Sequence, residues 1–151
     1  MSNIADILAS FELDASWQRR LYEHLHANPE LSMHEEETYQ LIVRELEAFD
    51  CELVAPIGKY GICAVFTNGA GPTVLYRADF DGLPVTERTG APFASRKVVT
   101  TADGDTVGTM HACGHDIHTS ALLGLCSVLD NTRDEWSGTF IALFQPGEEI
   151  A

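Results

Sequence analysis

The sequence predicts an α/β fold, a mixed sheet flanked by helices in a three-layer-like arrangement. Three observations carry this. The hydrophobic period is helical as far as Phe49 and extended from Cys51 onward. Two runs, Thr73-Val-Leu-Tyr76 and Thr139–Phe144, are apolar at consecutive positions, the pattern of strands covered on both faces. Acidic, histidine and cysteine clusters follow strand ends or open a helix, where α/β enzymes place their chemistry.

With 151 residues the chain can bury one hydrophobic core, and no linker points to a second domain within it. A hydrophobic fraction of 45% and a charged fraction of 21% fit a soluble globular protein. The net charge of −14 argues against nucleic acid or an anionic membrane as partner, since phosphate binding needs a basic face. No apolar run reaches the roughly 18 residues of a membrane span. The N-terminus lacks the basic and apolar regions of a signal peptide. Cys51, Cys63, Cys113 and Cys126 form no CxxC pair, and Cys63 and Cys126 lie in apolar runs as buried thiols. A reduced, cytoplasmic protein is the simplest expectation.

Ile4, Ile7, Leu8 and Phe11 predict a short amphipathic helix over 2–12. Asp14 caps a second helix carrying Trp17, Leu21 and Leu25, which Asn28-Pro29 ends. Ser32 and Glu35 form a capping box for a third, with Tyr39, Ile42, Val43, Leu46 and Phe49 as its buried stripe. Glu35, Glu36 and Glu37 read as a solvated helix start facing the helix dipole. Cys51–Val54 is a short strand. Ile62–Phe66 and Thr73–Arg77, split by the turn cluster Asn68–Pro72, predict a hairpin whose second strand is central. Lys97–Thr101 and Thr106–Val107 flank Asp103-Gly104 as another hairpin. Ser120–Leu129 is apolar nearly all round, hence a buried helix. Thr139–Phe144 is a strand that delivers Gln145-Pro-Gly-Glu-Glu149.

The densest chemistry lies in Gly108–Thr119, with three of the six histidines and one of the four cysteines. Cys thiolate and neutral imidazole suit borderline-soft divalent ions such as Zn²⁺. On an extended segment Cys113 and His115 point to one side, and Gly114 lets the backbone approach. Asp116 can orient a ligating imidazole or cap the next helix, and the cap is preferred. His118 falls in that helix's first turn, as a supporting or a core histidine. Glu148 and Glu149 are adjacent acids after an apolar strand, either a surface loop or a ligand beside a general base. Asp79 and Asp81 either face one way to orient a ligand or cap a turn. A Cys113 nucleophile activated by His111 or His115 is the rival chemistry, and it leaves the paired glutamates unexplained.

Four stretches, Leu31–Glu35, Arg77-Ala-Asp-Phe-Asp-Gly-Leu-Pro84, Met110-His-Ala-Cys-Gly-His-Asp-Ile-His-Thr119 and Phe144–Glu149, come in the order in which one family has them. Together they closely resemble the amidohydrolase branch of the aminoacylase–carboxypeptidase family of two-metal hydrolases, which includes hippurate hydrolases and auxin-conjugate hydrolases. The resemblance runs from about Trp17 to the last residue. It implies two divalent ions, zinc or manganese, with Cys113, His115 and Glu149 as ligands. It implies Glu148 as the base that takes a proton from a metal-bound water and returns it to the leaving amine. Asp81 matches the orienting aspartate. More distant relatives have His-x-Asp where this chain has Asp79-Phe80-Asp81, so that histidine is absent and Asp79 inherits no ligand role. His111 and His118 are left as supporting residues.

The resemblance also implies a longer protein. It makes residues 1–151 the N-terminal portion of a catalytic domain, without the lid or dimerisation domain and the C-terminal catalytic segment that carries two more histidine ligands. The expected activity is hydrolysis of the amide bond of N-acyl amino acids, peptides or related small amides, with homo-oligomerisation through the lid and an inactive isolated 151-residue chain. The alternative expectation is a truncated, non-catalytic protein that binds metal or a partner.

Overall fold

A computed structural model describes Ala5 and residues 14–101 and 103–150. The helix expected over 2–12 lies outside the described residues apart from Ala5. The first helix followed here is α1 (Ala15–Ala27). Asp14 caps it as expected, its carboxylate accepting from the amides of Ser16 and Trp17 at 3.0 Å each. Leu21 and Leu25 are buried along its stripe, and Trp17 packs against the same core.

Helix α2 (Glu36–Leu46) buries Ile42 and Leu46, with Tyr39, Val43 and Phe49 alongside. Its expected capping box is absent. Glu35 makes no side-chain cap bond, and the Ser32 hydroxyl is spent on Asp81 instead. The amides at the start of the helix go to Glu30, whose carboxylate accepts from Thr38 N–H at 2.8 Å and Glu37 N–H at 3.3 Å. A carboxylate six residues before the helix satisfies the orphan donors as well as a residue at the cap would. Glu35 is also not solvated; it is 0% exposed.

The chain then builds β1 (Glu52–Ile57), β2 (Gly61–Asn68) and β3 (Thr73–Asp79). A two-stranded hairpin follows, β4 (Val98–Thr100) with β5 (Thr106–Gly108), as expected around Asp103-Gly104. Last come α3 (His115–Asn131) and β6 (Gly138–Gln145). The main sheet has the order β1-β2-β6-β3. It is mixed: β2 runs antiparallel to β6, and β3 runs parallel to it.

The predicted β2–β3 hairpin does not form. Strand β6 sits between them, so the Asn68–Pro72 turn spans an inserted strand, with Pro72 C=O accepting from Thr139 N–H at 2.9 Å. Nor is β3 central among the described residues. It lies at the sheet edge, with Val74, Leu75 and Tyr76 exposed.

One sheet face holds Ile62, Ala64 and Phe66 of β2 and Phe140, Ala142 and Phe144 of β6, and α2 and α3 pack on it. Leu122, Leu123 and Cys126 of α3 join this core. Cys63 points the other way and is only half-buried, so of the two thiols expected inside only Cys126 is buried. The alternation on β2 and β6 explains this: in a strand, odd and even positions face opposite sides.

Parallel pairing puts the C-terminal ends of β3 and β6 side by side, with Asp79 opposite Gln145. The loops leaving both strands therefore emerge at one edge. The start of α3 is tied to the same edge by the Thr119 hydroxyl, which donates to Asp79 C=O at 3.0 Å. Isolated bridges from Leu31 to Gly82 and from Leu83 to Met110 draw the segment before α2 and the segment before α3 into the same place.

Candidate metal centre

His115 is the first residue of α3 and is buried. Its Nδ1–H is directed at Asp81, 3.0 Å from the carbonyl oxygen and 3.1 Å from Oδ1. That bond selects the tautomer with a lone pair on Nε2. This Nε2 faces three carboxylates: Asp79 Oδ1 at 3.6 Å, Glu149 Oε1 at 3.8 Å and Glu148 Oε2 at 3.9 Å. The gaps are too long for hydrogen bonds.

Asp81 organises more than the imidazole. Its Oδ2 accepts from the Ser32 hydroxyl at 2.7 Å and from Glu149 N–H at 2.9 Å. Burial opposes its charge, but these bonds outweigh it and hold the carboxyl below its usual range. Asp81, which the resemblance matches to an orienting aspartate, contacts both the His115 imidazole and the Glu149 backbone.

Asp79 borders His115 and is engaged on its other contacts as well. Its Oδ1 accepts from His118 Nδ1 at 2.7 Å, and its Oδ2 pairs with Arg77 at 3.1 Å. Burial works against the charge on Asp79 too, but His118, His115 and Arg77 overcome it and depress its pKa. With both oxygens engaged, Asp79 is not simply a carboxylate standing in for the missing histidine. His118 is exposed rather than a core histidine, and its ring stacks on that of His115 with centroids 5.7 Å apart.

The segment before α3 is not extended, contrary to the sequence reading. It turns at Ala112-Cys113, and Gly114 takes φ +79° before the helix begins. Nothing lies within 4 Å of where a Gly114 Cβ would sit, so glycine is needed there for its left-handed backbone, not for close approach. Cys113 is exposed and lies against Glu149, whose carboxylate pushes the thiol pKa up, with burial, Glu148 and Asp79 adding to it.

Asp116 is not the helix cap. It lies within the first turn of α3, where its Oδ2 is 2.6 Å from His26 Nδ1. His111 is buried, with Nδ1 3.1 Å from Asp81 C=O and no partner on Nε2. Both histidines offered as bases for a Cys113 nucleophile therefore turn a ring nitrogen to Asp81. The thiol itself sits among carboxylates that disfavour the thiolate, which counts against Cys113 as a nucleophile.

Glu148 and Glu149 begin a 3₁₀ turn (Glu148–Ile150), half-buried. Among the described residues, two groups of ligand atoms lie within 4.8 Å of one another: His115 with Glu148 and Glu149, and His115 with Asp79 and His118. Cys113 is in neither group, though it borders Glu149.

This donor set fits a divalent cation. An imidazole lone pair aimed at three carboxylates is repulsive unless a positive charge, a proton on Nε2 or a cation, lies between them, and 3.6–3.9 Å leaves space for a cation. A cavity of about 730 Å³ opens beside Glu149, lined by Leu31, Leu83, Pro84, Val99 and Ile150 and also by Glu30, His34 and Lys97. The sequence did not reveal Glu35, which is buried and reaches the same loop.

Residues 75–151 match the family model described as peptidase family M20/M25/M40. Over 129 residues the chain is 43% identical to N-acetylcysteine deacetylase of Bacillus subtilis, covering 84% of this chain and 32% of that protein. It is 38% identical over 136 residues to the IAA-amino acid hydrolase ILR1-like 6 of Arabidopsis thaliana, covering 90% of this chain and 27% of the other. Among solved structures, the Bacillus subtilis YxeP protein, described as a dinuclear metal-binding peptidase of the M20 family, superposes with a TM-score of 0.79. The two are 40% identical, over 89% of this chain and 36% of that one. The chain thus spans about a third of the length of the curated relatives it matches. The family match runs through β3, α3 and β6, the elements that carry Asp79, His115 and Glu149, and on it the chain belongs to peptidase family M20/M25/M40.

Proposed function

We propose that this chain carries part of the active site of a metal-dependent amidohydrolase that acts on N-acyl amino acids or related small amides. The observation that carries the proposal is His115, its Nδ1 held by Asp81 and its Nε2 turned to Glu148 and Glu149. The relatives' own descriptions, a deacetylase of N-acetylcysteine and a hydrolase of IAA-amino acids, support the substrate class.

In this reading Cys113, His115 and Glu149 hold two divalent ions, zinc or manganese. Such ions polarise an amide carbonyl and lower the pKa of water. Glu148 takes the proton from the attacking water and passes it to the departing amine. Its half-exposed position suits a group that must exchange protons with substrate. Asp81 keeps the imidazole and the Glu149 backbone in place. The apolar walls of the cavity beside Glu149 suit an acyl chain. We assign the protein to the cytoplasm, in keeping with its four free cysteines.

The test compares the full gene product with Glu148→Gln, using N-acetyl- and N-benzoyl-amino acids and following amine release. The expected result is chelator-sensitive hydrolysis that the substitution lowers by about 10²-fold or more while metal binding persists. Residues 1–151 assayed alone are expected to bind metal weakly and to show no turnover. Metal binding without hydrolysis in the full gene product would instead support a non-catalytic binding role.

A further inference from the structure

Glu35 is 0% exposed, yet its Oε2 has no hydrogen-bond partner. Burial raises its pKa above the ordinary carboxyl value. Such a group costs stability unless something else requires it. Helix capping does not: Glu35 makes no side-chain cap bond, and Glu30 takes the free amides of α2. What Glu35 does hold is the far loop: its Oε1 accepts from Gly147 N–H at 2.7 Å.

Two further contacts join the same pair of segments. Met33 adopts φ +63°, a left-handed conformation uncommon for a side chain of its size, and its C=O accepts from Lys59 Nζ at 2.7 Å. In that pose its sulfur lies 2.9 Å from the place a Gly147 Cβ would occupy, and Gly147 itself takes φ +65°. Ser32 and Glu149 meet on Asp81 Oδ2. The loop amides at 147 and 149 are thus each taken by a buried carboxyl, one on either side of Glu148.

We infer that Glu35 is a positioning residue, which together with Asp81 clamps the Gly147–Glu149 backbone and so fixes where the Glu148 carboxylate stands. The inference rests on the base role proposed above for Glu148. A base displaced by about 1 Å can lose on the order of 10² in rate, which gives the clamp its purpose. The strained Met33 and the unsatisfied Glu35 oxygen are stability given up to hold this loop.

The experiment uses Glu35→Leu and Glu35→Gln in the full gene product. Gln keeps an oxygen for Gly147 N–H, and Leu fills the space without one. For Glu35→Leu we expect an unchanged or higher Tm, about tenfold faster hydrogen exchange at the Gly147 amide, and a kcat loss of about tenfold or more with KM little changed. Glu35→Gln should keep kcat within about threefold. A well-folded Glu35→Leu protein with wild-type kcat and wild-type Gly147 exchange overturns the inference. So does an equal kcat loss in both variants that follows a fall in Tm. If Glu35→Leu fails to fold, Glu35→Asp, too short to reach Gly147, replaces it: kcat equal to that of Glu35→Gln overturns the inference, and a selective loss supports it. If the wild type hydrolyses no amide, the proposed function fails, and Gly147 exchange alone decides on the clamp.

Discussion

His115 and Asp81 are joined twice, through the Asp81 carbonyl at 3.0 Å and Oδ1 at 3.1 Å, although they lie 34 residues apart. The pairing fixes one imidazole tautomer and leaves Nε2 free to face Glu148 and Glu149. The other oxygen of the same carboxylate holds Ser32 and the Glu149 amide. One side chain therefore orients the His115 imidazole and the Glu149 backbone together.

Removing that side chain should be felt in metal affinity. Asp81→Ala is expected to weaken Zn²⁺ or Mn²⁺ binding by about 10–100-fold, the usual cost of losing the group behind a ligating histidine. Asp79→Asn should cost less, because the oxygens of Asp79 serve His118 and Arg77. Calorimetric titration of both variants gives the comparison. A larger loss in Asp79→Asn than in Asp81→Ala would mean that Asp79 is the more important carboxylate.

Cys113 gives a test in the metal-free protein. Glu149, then burial, Glu148 and Asp79, raise its thiol pKa above the ordinary value of 9.0. At pH 8 its alkylation should be slower than that of a free cysteine, and the rate should climb as pH passes the raised pKa. Glu149→Gln should shift the profile toward lower pH, and saturating Zn²⁺ should slow alkylation in the wild type. Peptide mass spectrometry after iodoacetamide treatment separates Cys113 from Cys51 and Cys63. An unshifted profile in Glu149→Gln would remove Glu149 as the cause.

Much of this centre was legible because its residues sit in short contiguous stretches. Gly114 through Asp116, Asp79 through Asp81 and Gly147 through Glu149 each follow or open a secondary-structure element, and local pattern locates such elements well. The Asp14 cap was legible for the same reason, since its bonds reach only two and three residues on. What failed were bonds between distant segments. Glu35 binds an amide 112 residues away, and at its own position it looks like one more helix-start acid. Glu30 captured the role given to Ser32 and Glu35 because the chain bends back between Pro29 and α2. The β2–β3 hairpin failed because strand adjacency depends on where β6 inserts, and no local spacing carries that. Asp116 looked like a cap until α1 brought His26 to it.

That last contact leads to a pH dependence. His26 lies between Asp116 Oδ2 at 2.6 Å and Glu87 Oε1 at 3.0 Å, with Tyr22 and Phe93 packed on the ring. Only the imidazolium can donate to both carboxylates. Burial disfavours that charge, but the two hydrogen bonds outweigh burial and raise the pKa of His26 above its ordinary 6.5. A raised folded-state pKa contributes stability that is fully present below pH 6.5 and is lost as pH rises through the folded value. His26→Leu removes the cation and leaves two carboxylates facing each other, so it should lower stability by about 2 kcal/mol near pH 6. Above the folded pKa the wild-type ring is neutral and can donate to only one partner, so the difference from His26→Leu should shrink. Thermal melts of both proteins from pH 5.5 to 9 measure this gap. A gap that stays constant or widens toward alkaline pH would mean that His26 contributes packing alone and that its charge is not what joins α1, the loop at Glu87 and α3.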